Sequence, residues 1–344
     1  MSVLLFTDVV SIFTAFVGAY YFRQSLPLAP IQQFGFYGVF LAAATALFIA
    51  IFTYFNLYKK TRSQFSISYF IDFLKAFSLW GVFLVAFSYF TKSEYSRFVV
   101  VLFFVISVVL VYASRLFVAW MTGQKIPRNG DAEIVREIKT VVREKADLAA
   151  EYKPQRPYYF AKRVFDFLAA LVLSVMVAPA VFVVIFLIRR DSKGRAIIVQ
   201  ERVGMEGELF YMYKFRTMAA DTELYAPAPQ NNKDSRITKI GRFLRNYSID
   251  ELPQFWNVLK GEMSIVGPRP EMAFIVEKYE PWQKIRLQVK PGITGFWQVI
   301  GRKDLPLEEN IEYDIYYVLH QSFFLDLAIM LKTIPRLFFS YGAY

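Results

Sequence analysis

FGFYGVFLAAATALFIAIFTYFNLY, residues 34–58, runs for 25 residues without a charge. At about 1.5 Å per residue, a helix of that length crosses the ~30 Å hydrocarbon core of a bilayer. Three more apolar runs lie on either side of it. Residues 3–22 contain only Asp8, residues 70–90 carry Asp72 and Lys75 near their start, and residues 98–121 contain only Arg115. Arg115 is close enough to one end of its run for the head group to be expected to snorkel to the lipid surface. Four such runs predict a four-helix transmembrane bundle over residues 1–124. The first run lacks the basic start and small-residue cleavage site of a signal peptide, so it reads as a retained span.

The loops orient the bundle. Lys59, Lys60 and Arg62 follow the second run, and Lys125 and Arg128 follow the fourth. The first loop has only Arg23, and the third mixes Lys92 and Arg97 with Glu94. Positive-inside counting puts both ends of the bundle in the cytosol. Residues 1–188 hold 18 Lys and Arg against 10 Asp and Glu, whereas residues 189–344 hold 22 against 19. The basic excess therefore accompanies the apolar segments, which suits anionic lipid and not nucleic acid. With no cysteine and one histidine, disulfides, thiolate metal sites and cysteine nucleophiles are excluded.

Residues 125–158 read as a cytosolic amphipathic linker helix. Asp131 could cap its start, and Ile134, Ile138, Val141 and Val142 have helical spacing. Residues 167–188 form a fifth apolar run with Pro179 in the middle and basic residues at both ends. A fifth crossing would carry the rest of the chain out of the cytosol. Pro179 removes a backbone hydrogen bond, so the segment over residues 159–189 is expected to be a re-entrant helix broken at that proline. Residues 190–344 have ordinary soluble composition and are long enough for one domain.

SIDELPQFWNVLKGEMSIVGPRPE, residues 248–271, is the densest chemical stretch. Ser248 and Glu251 fit a helix capping box, which would make the acids structural. Pro253 suits the start of a new helix that carries Phe255, Trp256 and Leu259 inward and stops at Gly261. The neighbours favour chemistry. Arg242 and Arg245 precede the acids, Arg269 sits between two prolines, Lys214 and Arg216 lie upstream, and Arg302 lies downstream. Guanidinium groups hold phosphate oxygens bidentately, and a carboxylate can bind magnesium or attack phosphorus. The glycines of VKPGITGF lack the ending of a phosphate-binding P-loop. His320 reads as structural, Asp326 as a helix position at an interface, and ERVGMEGELFYMYKF as a β-hairpin.

The ordered series KRVFDF, QERVGMEGELFYMYKFRTM, TKIGRFLRNYSIDELPQFWNVLKGEMSIVGPRPE, VKPGITGFWQVIGR and YDIYYVL resembles the bacterial sugar transferases, the monotopic phosphoglycosyl transferases. The likeness covers residues 159–344. The four preceding spans resemble the longer subfamily, the undecaprenyl-phosphate glucose or galactose phosphotransferases, but only about 30 residues stand where those proteins usually insert a nucleotide-binding-like domain.

The resemblance implies transfer of a sugar-1-phosphate from a UDP-sugar to undecaprenyl phosphate with release of UMP, the step that initiates exopolysaccharide, O-antigen or capsule assembly. Asp250 would be the nucleophile and Glu251 its helper, the two holding Mg2+; Lys214, Arg245, Arg269 and Arg302 would bind phosphates. It further implies a mainly α membrane protein of the bacterial inner membrane, with a mostly helical catalytic domain on the cytosolic face. The aromatic-rich spans are compatible with a homodimer. A transporter, or a non-catalytic scaffold of the same fold, is the alternative; the first would need ionisable residues inside the bundle.

Overall fold

The computed structural model describes residues 2–28, 31–59, 66–90, 96–123, 138, 140, 142, 156–223, 229, 234–300 and 311–339. The chain divides into two units, Met1–Arg128 and Asn129–Tyr344.

In the first unit the apolar runs form α1 (Ser2–Ser25), α2 (Gly38–Tyr54), α3 (Ile67–Phe90) and α4 (Arg97–Met121). A 3-10 turn at Phe34–Tyr37 leads into α2. Each helix, with that turn counted for α2, is long and apolar enough to cross a membrane. The helices touch through aromatic side chains: Phe16, Phe40, Phe48, Phe52, Phe73, Trp80 and Phe103 are all fully buried. Valines such as Val82, Val101 and Val109 face outward. Between helices in lipid, packing and hydrogen bonds carry the association. Trp80 Nε1 supplies one such bond, donating to the Ala44 carbonyl at 2.9 Å.

Arg115 does not snorkel. It is 1% exposed and turned into the bundle, where Nε and Nη2 donate to the two oxygens of the equally buried Asp8. Nη1 donates to the Leu57 carbonyl at 2.9 Å and to the Tyr69 hydroxyl. The rings of Phe52 and Tyr58 lie 4.9 and 5.0 Å from the guanidinium carbon. Snorkelling loses because the inward site offers a counter-charge, a carbonyl and a hydroxyl together.

Of the linker, only Ile138, Thr140 and Val142 and its last residues are described. Those three are helical, and Ile138 and Val142, one turn apart, are buried. The second unit then begins with α5 (Arg156–Asp191), 36 residues long. Here an expectation is corrected: α5 is continuous through Pro179, with no break in the helix. A proline costs one amide and crowds the carbonyl four residues back, but interrupting the helix in an apolar setting would strand several more backbone groups.

Both ends of α5 are docked on the rest of the unit. Near its start, Lys162 pairs with Asp326 at 2.7 Å, and Arg163 donates to the carbonyls of Val258 and Leu259 at 2.6 and 2.9 Å. Asp166 accepts from Ser264 Oγ at 2.7 Å. Near its end, Val184 and Ile188 pack with Ala196, Phe215 and Leu244.

The hairpin expected from the glycine pattern is present as antiparallel β1 (Ile197–Val203) and β2 (Leu209–Phe215). After it come α6 (Lys239–Asn246), α7 (Gln254–Lys260), β3 (Ser264–Val266), α8 (Ala273–Val276), β4 (Gly292–Thr294), α9 (Phe296–Ile300), α10 (Ile311–Leu319) and α11 (Phe323–Phe339). β3 and β4 pair in parallel, Ser264 opposite Gly292 and Val266 opposite Thr294. The glycines of VKPGITGF serve this crossing, since a Cβ on Gly292 would lie 2.1 Å from the Gly267 nitrogen. His320 stacks on Tyr316, and its Nδ1 lies 2.9 Å from the Tyr316 carbonyl. Asp326 joins α11 to α5 and α10 by accepting from Tyr158, Lys162 and Tyr317.

Candidate active site

Asp250 and Glu251 sit in a 3-10 turn, Ile249–Glu251, between α6 and α7. Ser248 enters that turn with φ at 53°, a left-handed conformation that is strained for a residue with a side chain. Its side chain makes no capping bond, so the capping box does not form. α7 starts after Pro253 and ends at Gly261, whose φ of 89° closes it. Which face turns inward differs from expectation. Trp256 is 57% exposed, while Gln254, Asn257 and Val258 are buried. Asn257 takes the inner position because its amide bonds to β2, donating to the Tyr211 carbonyl at 2.7 Å and accepting from the Tyr213 amide at 3.1 Å.

Three cations from three elements converge on the acids. Lys214, on β2, places Nζ 3.4 Å from Glu251 Oε1, and Arg269, following β3, places Nη1 3.2 Å from the same oxygen. Arg245, on α6, faces Asp250 electrostatically, as do Lys214 and Arg269. Glu251 is thus tied down, whereas among the described residues no hydrogen bond reaches the Asp250 carboxylate. Burial, with the adjacent Glu251 charge, pushes Asp250 up to about 6, and the three cations hold it from rising further. Burial pulls the Lys214 ammonium below the usual lysine range, with Glu251 opposing. A carboxylate without a hydrogen-bond partner, facing three cations, can attack an electrophile whose negative oxygens those cations hold.

Of the six residues that the family resemblance assigns to the site, five therefore come together; Arg302 lies outside the described residues. Arg216 belongs elsewhere. It is buried and donates to the carbonyls of Ser192 and Lys193, both at 2.8 Å, sealing the exit of α5. Arg242 is exposed on α6. Two cations near the cluster escaped the sequence reading. Arg202, on β1, is buried and adds to the positive field at Lys214. Arg286, outside every motif weighed as chemical, lies behind Arg269 and donates to its carbonyl at 2.6 Å.

Among the described residues no three His, Cys, Asp or Glu side chains gather as a metal nest. Magnesium takes one or two carboxylates and completes its shell with phosphate oxygens and water, so Asp250 and Glu251 are the residues that would hold it.

The sequence profile described as "Bacterial sugar transferase" matches residues 157–340, and one described as "CoA-binding domain" matches residues 53–157. The second falls on α3, α4 and the linker. Over 200 residues the chain is 40% identical to the UDP-galactose-lipid carrier transferase of Erwinia amylovora, covering 54% of this chain and 42% of that protein. It is 38% identical over 205 residues to the undecaprenyl-phosphate galactose phosphotransferase of Salmonella typhimurium, covering 55% and 43%. The exopolysaccharide production protein ExoY of Rhizobium meliloti is 36% identical over 199 residues, 54% of this chain and 88% of its own length. The chain thus matches less than half of the first two relatives and nearly all of the third. The residues that the sugar transferase profile matches, 157–340, hold the Asp250 cluster, and through them the chain belongs to the bacterial sugar transferase family.

Proposed function

We propose that the protein transfers a sugar-1-phosphate from a UDP-sugar to undecaprenyl phosphate. The observation that carries this is the Asp250 carboxylate, free of hydrogen bonds among the described residues and faced by Lys214, Arg245 and Arg269. In the first step an oxygen of Asp250 bonds to the β-phosphorus of the nucleotide sugar. The bond from that phosphorus to the bridging oxygen breaks, and UMP leaves with the electron pair. An acyl phosphate joins Asp250 to the sugar phosphate. In the second step a phosphate oxygen of undecaprenyl phosphate bonds to the same phosphorus, and Asp250 departs as carboxylate. Transfer of this kind needs positioning and charge neutralisation, which the three cations supply. Magnesium, held by Asp250 and Glu251, would add neutralising charge at the diphosphate. The names of the relatives, a galactose phosphotransferase and an exopolysaccharide production protein among them, support a hexose and a role in starting exopolysaccharide assembly.

The reaction joins a water-soluble donor to a lipid, so the site belongs at the cytosolic face of the bacterial inner membrane. Two features support that placement. Phe243 on α6 and Trp256 on α7, the helices on either side of the acid turn, are 54% and 57% exposed. The start and end of α5 dock on one and the same unit, as a helix entering and leaving by one face of the bilayer requires. Pro179 is then the position at which such a continuous helix would bend. Single cysteines at Lys162 and Arg195 are expected to label only from the cytosolic side; labelling from opposite sides means α5 crosses.

The decisive assay gives purified protein undecaprenyl phosphate and a series of UDP-sugars and follows UMP. Release with one hexose donor, dependent on both the lipid and magnesium, is the expected result. Absence of UMP with every donor rejects the reading.

A further inference from the structure

Pro268 and Pro270 leave the segment around Arg269 without two of its backbone donors, so it cannot be held by an ordinary strand ladder. The remaining carbonyls are held from outside. Pro268 O accepts from the Gly292 amide at 2.9 Å. Arg269 O accepts from Arg286 Nη2 at 2.6 Å, and the same nitrogen donates to Asp314 Oδ2 at 2.6 Å. Nη1 of Arg286 donates to the Tyr279 hydroxyl. The Arg286 and Asp314 side chains are 1% and 2% exposed. Together with Arg269 and Glu271, Arg286 lines a small cleft.

A buried ion pair is a poor way to gain stability, because apolar residues of the same volume do as well or better. It is a good way to fix one atom. The guanidinium has a rigid planar fork of donors, and here two acceptors, Asp314 and Tyr279, orient it while the remaining contact grips a backbone oxygen. That oxygen belongs to the residue whose side chain meets Glu251 at 3.2 Å. The prolines set the backbone angles on either side, and Arg286 sets where the segment sits.

We propose that Arg286, braced by Asp314 and Tyr279, is a positioning residue that places the Arg269 guanidinium over the phosphates of the nucleotide donor. The proposal rests on the proposed function. Arg286 acts through Arg269 and does not itself touch the reacting phosphorus.

A double-mutant cycle on the full chain tests it, read on UMP release and on UDP affinity in parallel. Arg286→Lys keeps the buried charge opposite Asp314 but loses the fork. It is expected to lower kcat/KM by roughly 10- to 100-fold, as small misplacements of phosphate-holding groups do. In an Arg269→Ala background the same change is expected to cost less than about twofold, since the guanidinium that Arg286 positions is gone. Tyr279→Phe, which spares the ion pair, repeats the pattern at about threefold and serves if Arg286→Lys does not fold. Equal losses in both backgrounds, with thermal unfolding shifted to match, overturn the proposal, because a residue that merely supports the fold gives additive effects. Unchanged activity in both Arg286→Lys and Tyr279→Phe overturns it as well. Should the wild type bind UDP yet release no UMP, the proposed function fails on its own, and the cycle on UDP affinity decides the role of Arg286.

Discussion

Each unit of the molecule buries one arginine against one aspartate, and the two pairs do different work. In the bundle, Arg115 meets Asp8 across α1 and α4 and collects Leu57 and Tyr69 from the turn after α2 and the start of α3. Each of these contacts ties α4 to another part of the bundle. In the second unit, Arg286 meets Asp314 and the Tyr279 hydroxyl and grips a single backbone carbonyl, that of Arg269. The chemistry is the same, but the free donors point at scaffold in one case and at a functional residue in the other. The value of a buried ion pair is therefore read from what its spare hydrogen bonds hold.

The contrast separates activity from stability, and the strongest test lies at the acid turn. Asp250→Asn is expected to lower UMP release by roughly a thousandfold or more while leaving thermal unfolding unchanged. Retained turnover with a folded protein would move the nucleophile elsewhere. In the bundle the expectation is inverted. Asp8→Asn leaves Arg115 buried without its counter-charge and is expected to destabilise that unit by about 3–5 kcal/mol, measured by unfolding in detergent. Turnover per folded molecule should stay at the wild-type value. Exchanging the two charges, Asp8→Arg with Arg115→Asp, should recover part of the loss. If Asp8→Asn stops catalysis in a folded protein, the division of labour between the pairs is wrong.

A smaller effect sharpens the electrostatics. Asp250 attacks only as carboxylate, and its titration is pushed up to about 6. A raised value means the proton returns at a higher pH than usual, so the first step should fall away as pH drops through about 6. Glu251→Gln removes one cause of that rise and frees Lys214 and Arg269 to face Asp250. The acid limb of the single-turnover profile should then move to lower pH, towards the ordinary carboxylate range near ~3.9. A limb that moves to higher pH contradicts the charge arrangement. The smallest expected effect concerns Ser248. Glycine adopts its left-handed backbone without strain, so Ser248→Gly should stabilise the second unit by up to about 1 kcal/mol with activity retained, whereas Ser248→Val should destabilise it.

What the sequence announced was whatever length and local pattern control. Apolar runs long enough to cross a bilayer became helices, the glycine-punctuated ERVGMEGELF became a hairpin, and the helix after Pro253 stopped at Gly261. The acid pair and four phosphate-binding cations were named from motif alone, and three of those four converge on the acids among the described residues. The readings that failed depended on partners distant in sequence. Arg115 was expected in the headgroups because its partner Asp8 lies 107 residues away. Arg216 looked like a phosphate ligand until the carbonyls ending α5 claimed it. Pro179 was expected to break a helix that the surrounding apolar turns carry through. Trp256 was placed inside by periodicity, but a two-bond contact from Asn257 to β2 decides the rotation of α7.

That contact has a consequence for how the molecule meets its own copies. A two-stranded ribbon pairs along one edge only and leaves a row of amides and carbonyls along the other, an open template for strand addition and aggregation. The outer edge of β2 is occupied instead. The Asn257 amide stands where a third strand would lie, giving one donor and one acceptor in the positions a neighbouring backbone would use. A side chain can satisfy those two groups without extending the sheet, so a further strand finds the row interrupted in its middle. A short hairpin can thus stay a hairpin along that edge when copies of the chain meet.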